Sequence, residues 1–468
     1  MRFTRIFPAA GFFCCQAEST PAPAPVPQTF GRAKKFVPQK RQKDNSNTMR
    51  IVIIAPGSRG DVQPYIALGK GLQNAGHTIR LVSHSNFELL VTSYGLEFWS
   101  FGNNVKDAVE NSEMRELTEK GNFLLLMAKM AKEAQREALR FAEGGLLAAQ
   151  GMDIVLSGMG GLYIGIAIAE KLEIPLVQAY VVPFTPTQEL SSVLTPKLPT
   201  ILNRLSHQLT RQLMWQGFRS ADTIARKEVL NIPAAPLLGP YNSKSTHNMP
   251  ILYGFSPSVI PAPSDWNGNT HITGYWFADE ADDWQPPSAL VNFLQSGSPP
   301  VYIGFGSMSN RNPEQTADLV IQALAQINQR AILLSGWGGL QKTNIPDSIF
   351  MIDSIPHAWL FPRVSAVVHH GGASTTAAGL RAGIPSVIIP FFGDQPFWGQ
   401  RVADLGVGPK PIPRKKLTVE RLASAIQEAV TNDDMRQRAA KLGKQIQTED
   451  GIKSAIEIIN QLEKQRAG

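Results

Sequence analysis

The sequence predicts an α/β protein with two similar halves, each built on a buried parallel sheet. The first observation is a β-branched run at residues 49–56 that ends in a glycine turn and is followed by helical spacing. The second is that the same plan restarts at residues 300–308. The third is a hydrophobic content of 43% over 468 residues, enough for two globular cores. We therefore expect two βα-rich domains with a cleft between them.

Residues 1–48 differ in composition from the rest of the chain. They carry eight basic and two acidic residues, so most of the net charge of +7 lies there. Both cysteines, Cys14 and Cys15, also lie there, which excludes cysteine chemistry from the body. The proline-rich run 21–27 predicts a disordered, non-catalytic leader. Its role is left open between a targeting segment and an extension upstream of Met49.

Charge and hydropathy exclude several classes of protein. The body beyond residue 48 is nearly neutral, so the composition does not indicate nucleic-acid binding. No apolar run approaches the ~18 residues of a transmembrane helix, and we expect a cytoplasmic monomer. A basic amphipathic stretch at 204–227 would allow peripheral membrane contact, although a solvated helix face is the simpler interpretation.

The first βαβ unit carries a polar loop. Residues 57–64 read Gly-Ser-Arg-Gly-Asp-Val-Gln-Pro, between a strand and a helix that extends to Asn74. The spacing is not that of a dinucleotide-binding turn, which argues against a nicotinamide oxidoreductase. Asp61 lies where a ligand of an open sheet would bind, but an acidic residue there can also simply cap the helix.

The rest of the first half alternates helices and strands. Strands are predicted at 95–101, 153–157, 174–180 and 250–259, and helices at 122–150, 161–171 and 198–230. Residues 261–287 are rich in Pro, Asp, Trp and Gly and predict the run into an interdomain linker.

The second half repeats this alternation. Strands are predicted at 301–304, 331–335, 349–352, 364–368 and 385–390, with a helix at 313–328. At the end of the chain we expect helices at 419–430 and, without interruption, at 435–464.

The most informative stretch is 367–402. A strand ends in His369-His370-Gly371-Gly372, and hydroxyl residues then open a helix. Two glycines let the backbone approach a ligand, and a helix N-terminus attracts anions, so the turn predicts a diphosphate cradle. The next strand leads to Asp394-Gln395, a pair suited to sugar hydroxyls.

These motifs resemble the donor-binding signature of the UDP-sugar glycosyltransferases, in particular the sterol 3-β-glucosyltransferases and the antibiotic glycosyltransferases. The resemblance extends over nearly everything from Met49 onward and implies the GT-B fold. It implies an acceptor-binding domain at 49–275, a linker at 276–298 and a nucleotide-sugar-binding domain at 299–447. Residues 448–468 would form a C-terminal helix that packs back on the N-terminal domain.

The resemblance also assigns roles to residues. Asp61 would be the catalytic base in Gly-x-Arg-Gly-Asp-Val-x-Pro, supported by its loop neighbours Ser58, Arg59 and Gly60. The donor would be bound by Ser307, Ile355, His357, His370, Gly372, Ser374, Thr375, Asp394 and Gln395. His357 replaces a glutamine of plant members, which leaves the ribose contacts open. The acceptor cleft would include Met127, Phe184 and Trp398.

The implied reaction is inverting transfer of a hexose, expected to be glucose from UDP-glucose, to a hydroxyl of a lipophilic acceptor such as a sterol or terpenoid. The UDP-sugar is a co-substrate, no cofactor is expected, and no Asp-x-Asp triplet accompanies the motifs, so we expect no metal. A hydroxy fatty acid, a phenolic or another secondary metabolite as acceptor remains an alternative, as does a nucleotide-sugar epimerase. Glucose versus another hexose and UDP versus TDP stay open.

Overall fold

The structure is a computed structural model that describes residues 48–101, 123–195, 198–278, 284–305, 313–335 and 345–467. Within these ranges no helix combines the length and the hydropathy needed to span a membrane. The described residues form two parallel sheets with helices on both faces.

The N-terminal sheet has seven strands in the order β3-β2-β1-β4-β5-β6-β7, all pairs parallel. The strands are β1 Arg50–Ile54, β2 Thr78–Ser83, β3 Glu97–Ser100, β4 Ile154–Ser157, β5 Leu176–Tyr180, β6 Ile251–Tyr253 and β7 Thr270–Ile272. Side chains of β1 alternate between two cores: Ile51 and Ile53 lie in one, and Val52 and Ile54 in the other. A strand buried on both faces reads as a continuous β-branched run, which is why this element was predictable.

The helices of this half connect the strands. They are α1 Arg59–Asn74, α2 Glu88–Ser93, α3 Phe123–Ala149, α4 Leu162–Leu172 and α5 Thr200–Ile224. A π-helical turn, Ala225–Leu230, extends α5.

The C-terminal sheet has five strands in the order β10-β9-β8-β11-β12. They are β8 Val301–Gly304, β9 Ala331–Leu334, β10 Ile349–Ile352, β11 Ala366–His369 and β12 Ser386–Ile388. The helices are α6 Ser288–Gln295, α7 Pro313–Gln326, α8 His357–Leu360, α9 Ala373–Ala382, α10 Gln395–Asp404, α11 Val419–Thr431, α12 Asp433–Gln447 and α13 Gly451–Ala467.

The last helix packs on the N-terminal half, as expected. Ala455, Ile459 and Leu462 of α13 are buried in the same core as Leu68 and Leu72 of α1. The ring of His77 lies 2.9 Å from Asn460 Oδ1, which ties the start of β2 to α13. The two Rossmann-like domains and the helix that crosses back are therefore confirmed.

Three predictions about elements were wrong. The strand β7 lies inside the proline-rich run 261–287, where no strand was expected, because three residues give too short a pattern. Helix α6 lies within the predicted linker 276–298, yet Leu290 is buried in a core of the C-terminal half. The final helix is not continuous: it breaks at 448–450.

The break has a physical reason. Glu449 accepts hydrogen bonds from Ser256 Oγ at 2.7 Å and Ser258 Oγ at 2.8 Å, and these serines belong to the N-terminal half. A Cβ on Gly451 would lie 2.4 Å from the backbone of Gly274. The chain bends here because it passes from one domain to the other in backbone contact.

Candidate active site

The loop between β1 and α1 orients Asp61. Its Oδ2 accepts hydrogen bonds from the Ser58 backbone N–H and the Ser58 hydroxyl, both at 2.8 Å. Ser58 is the N-cap of α1, and Asp61 is in the first turn. Asp61 therefore does cap its helix, as the structural alternative required. The capping bonds use only Oδ2, however, and among the described residues Oδ1 accepts none.

Gly57 makes room for this carboxylate. Its φ is +141°, a conformation that favours glycine. A Cβ at this position would lie 2.6 Å from Asp61 Oδ2 and 2.7 Å from Asp61 Cβ. Gly57 was not among the predicted site residues. Its place directly after the predicted strand 49–56 could have indicated a close approach of the backbone to a functional side chain.

Asp61 is exposed to solvent. The protein atoms packed around its carboxyl nevertheless raise the pKa of this group, while the hydrogen bonds from Ser58 and the nearby His84 oppose the increase. His84 follows β2, the neighbour of β1, so both residues lie at the carboxyl edge of the sheet. Its ring packs against Phe101 and Phe141, at centroid distances of 6.3 and 5.8 Å. Sequence analysis did not include His84, because its closeness to Asp61 depends on strand order.

The turn between β11 and α9 has the close-packed glycines that the predicted cradle would need. Gly371 has φ +89°, and a Cβ there would lie 2.6 Å from Ile388. Gly372 is the N-cap of α9, and a Cβ on it would lie 2.5 Å from His370 Nε2. The imidazole of His370 therefore lies directly against the start of α9, and only glycine at 372 leaves space for it.

Three histidines line this region and are neutral near pH 7. Burial lowers the pKa of His370 to about 4, and burial with the charge of Arg59 lowers the pKa of His357 to about 4. Burial also holds the pKa of His369 well below its usual range. Nδ1 of His370 is buried and has no hydrogen-bond partner among the described residues. Nε2 of His369 is likewise buried without a partner there, and buried ring nitrogens without a partner are rare in folded proteins.

His369 and His357 are held by packing. His369 is fully buried, and its Nδ1 accepts the Gly371 N–H at 3.1 Å. His357 stacks on Phe361 with ring centroids 4.4 Å apart. His370 is thus the member of this group that is presented to the turn.

The acidic loop after β12 is fixed from both sides. Oε1 of Gln395 accepts the backbone N–H groups of Phe391 at 2.8 Å and Phe392 at 3.2 Å. Oδ2 of Asp394 accepts the indole N–H of Trp398 at 3.0 Å. Burial, and next the charge of Asp61, raise the pKa of Asp394 to about 7. The Gln395 side chain therefore shapes the loop, whereas Asp394 is the acid that interacts with Asp61.

The two halves meet at these loops. The Ser374 hydroxyl, in the first turn of α9, donates to the backbone carbonyl of Gly60 at 2.9 Å. The electrostatic pairs Asp61–Asp394 and Arg59–His357 also cross between the halves. The N-termini of α1 and α9 thus face each other, with Asp61 on one side and the turn of His370 on the other.

Several predicted residues are placed differently from the expectation. Trp398 and Phe184 are each 1% exposed, so neither side chain lines an open cleft. Trp398 instead supports Asp394, and Phe184 packs against Tyr180. Half-buried Met127 lies near Gly217, between α3 and α5.

Three further residues were predicted to bind the donor. Ile355 is buried, and half-buried Thr375 lies in the first turn of α9. Ser307 lies outside the described residues. Across the described ranges, no group of three or more His, Cys, Asp or Glu side chains could hold a metal ion, and metal independence stays a prediction.

Two sequence profiles match the chain. The glycosyltransferase family 28 N-terminal domain matches residues 51–191. The erythromycin biosynthesis protein CIII-like C-terminal domain matches residues 307–464. The two matches fall on the two halves of the structure.

The chain is similar in sequence to several sterol 3-beta-glucosyltransferases. UGT80A2 of Arabidopsis thaliana is 38% identical over 87% of this chain and 64% of its own length. UGT80B1 of Arabidopsis thaliana is 36% identical, over 87% of this chain and 67% of its own length. The Saccharomyces cerevisiae enzyme is 37% identical over 90% of this chain. The chain spans about two thirds of the plant relatives and only 36% of this yeast relative.

Solved structures share the fold. The calicheamicin glycosyltransferase CalG4 superimposes with a TM-score of 0.64 at 16% identity, over 90% of this chain and 99% of its own. The glycotransferase of kitacinnamycin gives a TM-score of 0.63 at 17% identity, over 88% and 98%.

Proposed function

The chain belongs to the glycosyltransferase family that contains the sterol 3-beta-glucosyltransferases, and from this premise we propose that it transfers a hexose from a nucleotide sugar to a lipophilic alcohol. The donor we propose is UDP-glucose and the acceptor a sterol or a related terpenoid alcohol. The relatives' names support both sugar and acceptor class.

One observation carries the proposal. The Asp61 loop and the His370 turn lie at facing helix N-termini, which the Ser374–Gly60 hydrogen bond joins, and the charge of Asp61 reaches Asp394 across them. A base opposite an anion-binding helix N-terminus is the arrangement that a displacement at a sugar phosphate needs.

In the proposed reaction the acceptor oxygen attacks the anomeric carbon of the donor. The new carbon–oxygen bond forms as the bond between that carbon and the diphosphate oxygen breaks. The hydroxyl proton passes to Asp61, and UDP leaves with the bonding electron pair. The protein atoms packed around its carboxyl raise the pKa of Asp61, which would make it a stronger base than a free aspartate, and inversion at the carbon gives a β-glycoside from an α-linked donor.

The leaving diphosphate would be stabilised by the N-terminus of α9 and by His370. Because burial keeps His370 neutral, the imidazole would donate one N–H, and the dianion would favour its protonation. Ser374, which bonds Gly60 in this structure, would turn its hydroxyl to a phosphate oxygen when the donor binds. Asp394 would hold sugar hydroxyls.

The test is UDP release from UDP-glucose with a panel of sterols, triterpene alcohols, phenolics and hydroxy fatty acids, repeated with TDP-glucose and with EDTA. Asp61→Asn should lower kcat by about 10²- to 10⁴-fold, the usual contribution of a positioned base. The matched control is Asp434→Asn, which removes an exposed acid from the first turn of α12. It should keep the wild-type rate.

The outcomes separate the parts of the proposal. Acceptor-dependent UDP release that Asp61→Asn abolishes supports transfer with Asp61 as base. A wild-type rate in Asp61→Asn would remove Asp61 from the mechanism. Release that requires a metal would overturn metal independence. Conversion of UDP-glucose to another UDP-hexose without acceptor would favour the epimerase.

A further inference from the structure

The first half of α5 buries polar side chains and exposes aliphatic ones. Its buried positions are polar, each at most 4% exposed: Asn203, Ser206, His207 and Thr210. Its exposed positions are aliphatic: Ile201, Leu202, Leu205, Leu209 and Leu213. A surface helix in water normally has the opposite arrangement.

Hydrogen bonds to the loop after β5 fix this orientation. Asn203 Nδ2 donates to the Gln188 carbonyl at 2.8 Å, and the Ser192 N–H donates to Ser206 Oγ at 3.0 Å. The hydroxyls of Ser192 and Thr210 are 2.6 Å apart. Rotating the helix to bury its leucines would break these buried bonds, and each group left unsatisfied would cost about 1–3 kcal/mol.

The exposed side chains form one surface. Ile201, Leu205 and Leu209 are four residues apart, and they are 87%, 59% and 62% exposed. Two further leucines are held beside the same helix, because Gln212 and Gln216 donate to their carbonyls. We call this surface the leucine face: Ile201, Leu202, Leu205, Leu209, Leu213, Leu237 and Leu238.

Basic residues predominate on the helix that carries the leucine face. Residues 190–221 contain no Asp or Glu but four basic residues. Arg204 and Arg219 are exposed on α5. Arg211 turns inward, with its guanidinium 4.7 Å from the ring centroid of Tyr241. Two acids lie in the neighbouring loops. Asp265 interacts with Arg204 but accepts hydrogen bonds from Thr187 and Gln188, and exposed Glu189 accepts hydrogen bonds from Ser264.

We propose that the leucine face is a docking surface for an anionic lipid bilayer, with α5 lying in the plane of the interface. Aliphatic side chains at helical spacing beside arginines are the combination that binds such an interface, because burial of the leucines adds to attraction of the arginines by lipid phosphates. A protein partner would need acids opposite the arginines, and nothing on this face prefers one protein shape.

The leucine face lies near the edge of the sheet that carries the Asp61 loop. The loop that holds α5 follows β5 at the carboxyl edge of the N-terminal sheet, the same edge as the Asp61 loop. A docked leucine face would therefore hold this edge near the bilayer. Vesicle binding needs no turnover, so the docking stands or fails separately from the transferase proposal.

The experiment is co-sedimentation of the full chain with 100 nm vesicles of phosphatidylcholine, alone or with about 30% phosphatidylserine. The test variant is Leu205→Gln/Leu209→Gln, which keeps good helix formers on the exposed side. The matched control is Leu89→Gln, since Leu89 is 85% exposed on α2. UDP binding and far-UV circular dichroism report whether each variant is folded.

We expect the wild type to bind the anionic vesicles, less tightly at high salt, and the double variant to bind about tenfold or more weakly. The control should bind like the wild type. Equal binding by the double variant, or no binding by the wild type, would overturn the proposal. A wild-type dimer that the double variant converts to monomer, without vesicle binding, would assign the face to self-association and also overturn it.

Discussion

Replacing Gly57 by alanine tests whether the orientation of Asp61 matters for catalysis. The new Cβ would lie 2.6 Å from Asp61 Oδ2 and 2.8 Å from Cγ, closer than such atoms pack. The carboxylate cannot keep its position unless the backbone moves. The φ of +141° is also unfavourable for alanine, so the backbone adds strain of about 1–3 kcal/mol.

The size of the effect follows from what Asp61 loses. Moving the carboxylate breaks its two hydrogen bonds from Ser58, and bonds to charged groups are each worth about 1.5–3 kcal/mol. A base that is no longer in position costs about 10²- to 10⁴-fold in kcat. The His370 turn belongs to the other domain, so the affinity for UDP should change little.

The assay is the initial rate of UDP release at saturating donor and acceptor, together with UDP binding by calorimetry and urea unfolding. The control is Gly268→Ala, because a Cβ at Gly268 would meet no atom within 4 Å. A Gly57→Ala protein that keeps the wild-type kcat would refute the role given to Asp61. Loss of UDP binding together with kcat would point to a general folding defect.

Three further predictions test the other parts of the site and the domain contact. Trp398→Phe removes a hydrogen bond that stabilises the ionised form of Asp394, so the pKa of Asp394 should rise above about 7. The limb of the kcat/KM–pH profile that reports this group should then move to higher pH. An unmoved profile would contradict this prediction. Because burial lowers the pKa of His370 to about 4 and a bound diphosphate would raise it, UDP should bind more tightly as the pH falls from 7 to 5, with proton uptake in calorimetry. His370→Gln should remove that part of the pH dependence, and identical wild-type and variant slopes would count against it. Ile459→Ala should lower the free energy of unfolding by about 2–5 kcal/mol, since Ile459 is 1% exposed between α13 and α1, whereas exposed Glu457→Ala should change the urea midpoint little.

The repeat of strand, glycine turn and helix was enough to predict both domains. A parallel strand buried on both faces appears in the sequence as an uninterrupted apolar run, and β1 and β8 both show it. Short elements lack such a pattern, so β7 was missed. The break before α13 depends on Ser256 and Ser258, nearly 200 residues away in sequence.

The candidate site also contains residues that local motifs predicted and residues that only the tertiary structure brought to it. Asp61, His370 and Asp394 were predictable, because each follows a strand in a motif whose chemistry is local. The residues that orient these side chains were harder to predict. Trp398 was expected to line the acceptor cleft, but it is buried and donates a hydrogen bond to Asp394. Gln395 also accepts hydrogen bonds from the loop backbone, a contact that its sequence motif did not predict, and its sugar binding stays a prediction.

The sequence by itself determined the two βα-rich halves, the two glycine turns and the candidate site residues beside them, since these depend on neighbours along the chain. Only the tertiary structure decided which residues of the two domains lie opposite each other. It brings Ser374 onto Gly60 and Asp394 within electrostatic reach of Asp61, more than 300 residues apart in sequence. It also turns the leucines of α5 outward, because hydrogen bonds to the loop that precedes the helix outweigh the burial that helical periodicity alone would favour.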